Sequence, residues 1–369
     1  MIRKLLRWLA AFSVSAMAAC GPAPRVSIEE VSVHRTPSGA LNVEWRTSAP
    51  RAPIEVYALT PNHEPFLLSH HDTDSAFILP AKLAAKRPVI LLRTPYGAKR
   101  EIAERVLPLE GGRNFRDLGG YTTENAESVR WGLLYRSGSM VNLTSRDYGL
   151  LRSLNIATIC DFRSTSEREN EPTDWRQIKE SVAYQTRDYT ANSAGLKALL
   201  ADPSTLTPQK VRETILAMYR AFPYEHAASY RSLFLDIRDG KLPLAFNCSA
   251  GKDRTGLGAA LVLSALGVPQ QTILDDYALS DKIVNYEKVV AAPSAGHAKT
   301  SAGFEVISQL TPEQREPLLK SDPAYLMAAL DEIVRREGSL DAYFVKALGL
   351  TAKDLSTIRG RLLEPTQKF

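Results

Sequence analysis

The stretch from Pro243 to Gly256, Pro-Leu-Ala-Phe-Asn-Cys-Ser-Ala-Gly-Lys-Asp-Arg-Thr-Gly, limits what this chain can fold into more than any other. Leu242 to Phe246 is a short apolar run and reads as a buried strand. Small and polar residues follow, and Thr255 to Leu266, rich in Ala, Leu and Val, reads as a helix. A strand, a small-residue loop and a helix N-terminus make an anion pocket, because free backbone N–H groups point inward and the helix dipole favours negative charge. A cysteine opens the loop and an arginine closes it. Over such a nest and beside Arg254, Cys248 meets the conditions that favour a thiolate nucleophile. The planar donor fork of Arg254 suits two oxygens of a phosphate.

This stretch resembles the signature of the cysteine-dependent tyrosine phosphatases: Cys, five residues, Arg, then Ser or Thr. The tail from Ala250 to Gly256 is similar to that of one bacterial branch, whose members are in many cases secreted or lipid-anchored. They act on phosphotyrosine, other phosphoamino acids and phosphoinositides. A second hallmark of that branch stands upstream, Arg113-Asn114-Phe115-Arg116-Asp117-Leu118-Gly119-Gly120, and Tyr135-Arg136-Ser137-Gly138 also matches its pattern.

The resemblance implies hydrolysis of phosphate monoesters through a phosphocysteine, without metal or other cofactor. Cys248 is then the nucleophile. The backbone N–H groups of Ser249, Ala250, Gly251, Lys252, Asp253 and Arg254, with the Arg254 side chain, clamp the phosphate oxygens. Thr255 would donate to the sulfur and ease its departure, and Lys252 would add positive charge beside the pocket. Tyrosine phosphatases usually take their general acid from a separate loop, but no Trp-Pro-Asp segment exists here. Asp253 is the acid that the resemblance implies, its other reading being a loop anchor; Asp117 and Asp161 are reserves. Asn114, Arg116 and Asp117 are expected to border the pocket, or the last two to form an ion pair pinning a turn. Asn247 stands where the family usually has histidine; an amide still binds backbone on both sides, with an altered thiol as the expected consequence.

The expected fold class is an α/β phosphatase domain, a central sheet flanked by helices with the phosphate loop between strand and helix, preceded by a small all-β sandwich. The expected boundaries are a signal peptide and lipobox at 1–20, a tether at 21–25, a β module at 26–107 and the phosphatase domain at 108–369. Basic Arg3, Lys4 and Arg7, the apolar stretch from Leu9 to Ala19 and the small residues before Cys20 have the shape of an export signal. Ser-Ala-Met-Ala-Ala-Cys-Gly resembles a bacterial lipobox, which would make Cys20 the lipid-bearing residue. The protein would then sit at the periplasmic side of the envelope, on the outer membrane, or be soluble there if Cys20 is unmodified. In the module, Leu41, Val43 and Trp45 alternate with polar residues, and Ile54 to Leu59, Ala76 to Leu79 and Val89 to Arg93 read as further strands; it resembles fibronectin type III. Adjacent His70 and His71 would point to opposite faces of a strand and make no metal site. Residues 190–238 read as a helical insertion, a lid in the relatives or a helical pair completing the core.

Composition narrows the alternatives. The net charge is only +5 and no run of five basic residues occurs, which speaks against nucleic acid as a partner. With 44% hydrophobic and 24% charged residues the chain can bury a full core. The three cysteines divide into Cys20 for lipid, Cys248 for chemistry and Cys160 in an apolar strand, with no structural disulfide expected. The expected partners are a phosphorylated protein or a phosphoinositide or inositol phosphate as substrate, and the membrane through the anchor. A phosphate-recognising pseudophosphatase or adaptor is the alternative from another class. A rhodanese-like sulfurtransferase shares the Cys loop but has no need of the Arg113–Gly120 motif.

Overall fold

A computed structural model describes residues 26–60, 64–95, 97–190, 205–291, 307 and 309–365. Residues 1–25, on which the expected export signal, Cys20 and tether fall, the first part of the expected helical insertion and most of the Gly/Ala/Ser-rich stretch after residue 290 lie outside the described residues.

The N-terminal part is built from β1 (Ile28–Arg35), β2 (Leu41–Thr47), β3 (Ile54–Leu59), β4 (Pro65–Asp72), β5 (Ala76–Leu79), β6 (Val89–Arg93) and β7 (Lys99–Ile102). One sheet runs β1-β2-β5 and the other β4-β3-β6-β7, all pairs antiparallel. Alternate residues of both enter one core: Leu41, Val43 and Trp45 from the first, Ile54, Val56, Ile90 and Leu92 from the second. That shared core makes a sandwich. Against expectation, the His70 and His71 rings stack, 5.4 Å between centroids. His71 has φ 51° and the β3–β4 register shifts nearby, so the period of two is broken there.

The second part is an α/β unit. Its sheet contains β8 (Arg116–Asp117), β10 (Leu134–Ser137), β11 (Thr158–Asp161), β12 (Ala183–Thr186) and β13 (Leu244–Asn247) in the order β12-β11-β13-β10-β8. The four longer strands are parallel, and β8 closes one edge antiparallel. Successive residues face opposite layers. Leu244 and Phe246 meet the larger helical core, while Ala245 between them joins Tyr135 and Ile159 on the other side. A separate ribbon pairs β9 (Glu127–Val129) with β14 (Leu363–Pro365), tying the C-terminal helix back to the start of the unit.

The central strand β13 runs into the Asp253–Ala265 helix, ten of whose residues are buried. A helix apolar on every side belongs inside the core. The Pro208–Glu225 and Ala227–Arg238 helices pack there through Val211, Ile215, Tyr219, Phe222, Leu233 and Phe234. The described part of the insertion therefore completes the core. The parallel strands deliver their carboxyl ends to one edge, where open α/β sheets carry their ligands.

Candidate active site

The loop from Cys248 to Lys252 is shaped by what holds its carbonyls. Ser249 O accepts from the Ser139 N–H at 2.9 Å, and Ala250 O from Tyr286 Oη at 3.0 Å. Gly251 O accepts from Asn114 Nδ2 and from Arg136 Nη2, both at 2.9 Å. In a trans peptide the N–H points opposite to the C=O. Holding these three carbonyls outward therefore turns the N–H groups of Ala250, Gly251 and Lys252 inward. Gly251 N–H indeed donates to Cys248 Sγ at 3.3 Å. Gly251 has φ +75°, and a Cβ there would lie 2.3 Å from Gly138 N, so no other residue fits this turn without displacing backbone.

Cys248 is buried at the floor of the loop, 1% exposed, and is a free cysteine, as is Cys160. Arg254 reaches Glu167 through one edge of its guanidinium: Nη1 to Oε2 at 2.7 Å and Nη2 to Oε1 at 2.6 Å. Nη1 also meets Tyr189 Oη at 2.9 Å and Phe162 O at 3.2 Å. Among the described residues the Nε–H and the second Nη2 proton have no acceptor; they form the other fork edge. Ser249 Oγ donates to Glu167 Oε1 at 2.6 Å. Burial disfavours the Glu167 charge, but Arg254, Ser249 and the Ser164 N–H outweigh it and hold the carboxyl well below the usual range. Burial and the nearby Arg254 charge push His226 down to about 3, so this neighbour is a neutral ring.

The other expected residues take specific places. Asn114, Arg116 and Asp117 stand behind the loop, which corrects the expectation that they border the pocket. Asn114, φ 55°, also binds Ser280 Oγ and Tyr286 Oη, and its Oδ1 accepts from Arg116. Arg116 is fully buried and pairs with Asp276, Nε to Oδ1 3.1 Å; Arg136 joins the same carboxylate at 2.6 Å. Burial opposes the Asp276 charge, yet the two guanidiniums keep its carboxyl far below the ordinary range. Asp117, fully buried, accepts from Arg87 of the β module at 2.6 Å and from the Gly119 and Gly132 N–H groups.

Lys252 is also buried, and its Nζ donates to Leu318 O at 2.7 Å and Lys320 O at 2.9 Å. It anchors the end of the Pro312–Leu319 helix instead of lending charge to a ligand. Thr255 Oγ1 donates to Ser137 O at 3.4 Å, where the sequence had pointed it at the sulfur. Asn247 Nδ2 donates to Asp161 Oδ1 at 3.1 Å, and Asp161 is further bound by Arg163 and Tyr184. Asp253 keeps 29% of its side chain exposed and accepts from Tyr219 Oη at 2.6 Å. Of the three candidate acids it alone remains accessible.

Asp276 and Ser280 escaped the sequence reading, although their spacing of four with Ile273 and Tyr277 places polar groups on the buried face of the Gln270–Ile283 helix, a usable signal. For Glu167 the sequence offers only the Ser164-Thr165-Ser166-Glu167 spacing of a helix cap, with no pointer to Arg254.

A recessed cysteine below inward amides, faced by an arginine fork and an accessible carboxylate, is the equipment of a cysteine-dependent phosphatase. Residues 107–364 match the family model described as the tyrosine phosphatase family, and the chain belongs to that family. A protein of Cupriavidus necator with the provisional name tyrosine-protein phosphatase is 32% identical over 251 residues, 68% of this chain and 85% of that one. A triple specificity protein phosphatase of Mycobacterium tuberculosis is 28% identical over 283 residues, 71% of this chain and 100% of that one. Among solved structures, the catalytic domain of a PP-IP phosphatase from S. cerevisiae aligns with a TM-score of 0.24 at 12% identity, over 50% of this chain and 93% of that one. The protein is a hydrolase of the protein-tyrosine phosphatase type.

Proposed function

We propose that the chain dephosphorylates phosphotyrosine through a phosphocysteine at Cys248, with phosphoserine, phosphothreonine and phosphoinositides as further substrates. The observation that carries this reading is the free fork edge of Arg254, whose charge interacts with a sulfur that already accepts from the Gly251 N–H. Cys248 Sγ attacks phosphorus while the inward N–H groups and Arg254 hold the other oxygens. Asp253 gives its proton to the leaving oxygen and later takes one from the attacking water. The recessed position of Cys248 favours the longer reach of an aryl ester over that of a serine ester. The triple specificity of the mycobacterial relative supports the wider range. Purified protein assayed on phosphotyrosine peptides, phosphoserine peptides and phosphoinositides should show the highest kcat/KM on the first, lost in Cys248→Ser. A preference for either other substrate would overturn the ranking, and activity surviving in Cys248→Ser would overturn the mechanism.

A further inference from the structure

Two tyrosines outside the mechanism above converge on Asp253. Tyr219, from the Pro208–Glu225 helix, donates to Asp253 Oδ1 at 2.6 Å, and its Oη lies 2.5 Å from that of Tyr277 on the Gln270–Ile283 helix. Both side chains are buried, 1% and 0% exposed. A phenol has one proton to donate, and Oδ1 of the carboxyl group accepts whether or not Oδ2 carries a proton. Tyr219 therefore donates its hydrogen bond to Asp253 Oδ1, and Tyr277 donates to Tyr219, a chain of donors that ends on the carboxyl group. Gly256 lets the Tyr277 ring approach, since a Cβ there would lie 2.7 Å from Cδ2. Among the described residues no donor reaches Asp253 Oδ2; Lys252 Nζ lies 3.9 Å from Oδ1 and is committed to two carbonyls.

We propose that Tyr219, backed by Tyr277, is a positioning residue for the general acid: it fixes Oδ1 of Asp253 so that Oδ2 carries the proton to the leaving group. This rests on the phosphatase reading and deepens it. In the first step the Cys248 S–P bond forms, the ester P–O bond breaks, and the leaving oxygen takes the proton from Oδ2. The Tyr219 hydrogen bond then faces an anion and becomes charge-assisted, so it strengthens as the transition state is approached. In the second step water attacks phosphorus, the S–P bond breaks, Oδ2 takes a proton from that water, and inorganic phosphate leaves. Burial, then the Asp253 charge, push both phenols well above their ordinary range, which keeps them donors.

Leaving-group dependence separates this role from a merely structural one. A phenol of ordinary basicity needs a proton to depart, whereas dinitrophenol does not. Tyr219→Phe should lower kcat/KM for phenyl phosphate by roughly 10-fold to 100-fold, toward the range for losing general-acid help, and leave dinitrophenyl phosphate within about two-fold. Asp253→Asn should show the same contrast more strongly, and Tyr277→Phe more weakly. Equal losses on both substrates, or no loss on either, would overturn the proposal, and so would an Asp253→Asn variant without the contrast. Should Tyr219→Phe fail to fold, the Tyr277→Phe contrast decides by the same criterion. The phosphatase reading fails separately, if the wild-type protein hydrolyses neither ester.

Discussion

At Glu167 one carboxylate closes a capping box with the Ser164 N–H and holds both terminal nitrogens of Arg254. Replacing it by glutamine leaves one acceptor oxygen and turns an amide N–H2 toward the guanidinium, so the fork loses its aim. Glu167→Gln should lower kcat/KM for an aryl phosphate by about 10-fold to 100-fold, below the cost of deleting an oxyanion donor outright; an unchanged rate would contradict it. Because its folded value is lowered, the pairing contributes stability above about pH 4.3, the ordinary glutamate value, and loses it only as pH falls through the depressed one. Cys248 and Arg254 were legible because their relation is set by five intervening residues of one loop. The motif around Arg116 was equally visible, but its task was not: Asp276 lies 160 residues away in sequence.

The elements divide by how much their surroundings show in their own pattern. The β2 strand carries an apolar face and was readable from alternation, and β3, β5 and β6 as short apolar runs between turns. Strands β1 and β4 went unread: β4 is mostly exposed, and β1 buries Ile28 alone while Val31 and Val33 are only partly covered. Phe66 at 63% exposure shows why hydrophobicity alone misleads on an edge strand. Lys252 links two elements, the Cys248–Lys252 loop and the Pro312–Leu319 helix. Lys252→Met keeps the apolar stem but leaves two carbonyls without their donor, at about 1–3 kcal/mol for a buried group. Urea denaturation should show a loss of that order; an unchanged midpoint would mean that water replaces the ammonium.

On the scale of the molecule, the β module is tied into the phosphatase domain. Arg87, 4% exposed, donates to Asp117 and to Glu104 O and meets Tyr135 Oη at 3.3 Å. Nothing in the sequence around Arg87 announces this, because Asp117 and Tyr135 come from the other domain. Nearby, a cleft of about 350 Å³ between the two parts holds Glu101 and Glu364. Burial, then Glu364, push the Glu101 carboxyl up to about 7, against the pull of Arg130 and Lys99. A raised folded value means that the contribution to stability is full below about pH 4.3 and is lost as pH rises through the folded value. Glu101→Gln should therefore raise Tm by a few degrees near about pH 8 and change little near about pH 4. Equal shifts at both would remove the titration argument.

In the proposed mechanism phosphorus passes through sulfur. Rapid acid quench of the enzyme during turnover of an aryl phosphate, followed by peptide mass spectrometry, should find one phosphoryl group on the Cys248 peptide and none in Cys248→Ser. Turnover with no label at Cys248, or label on another residue, would contradict it.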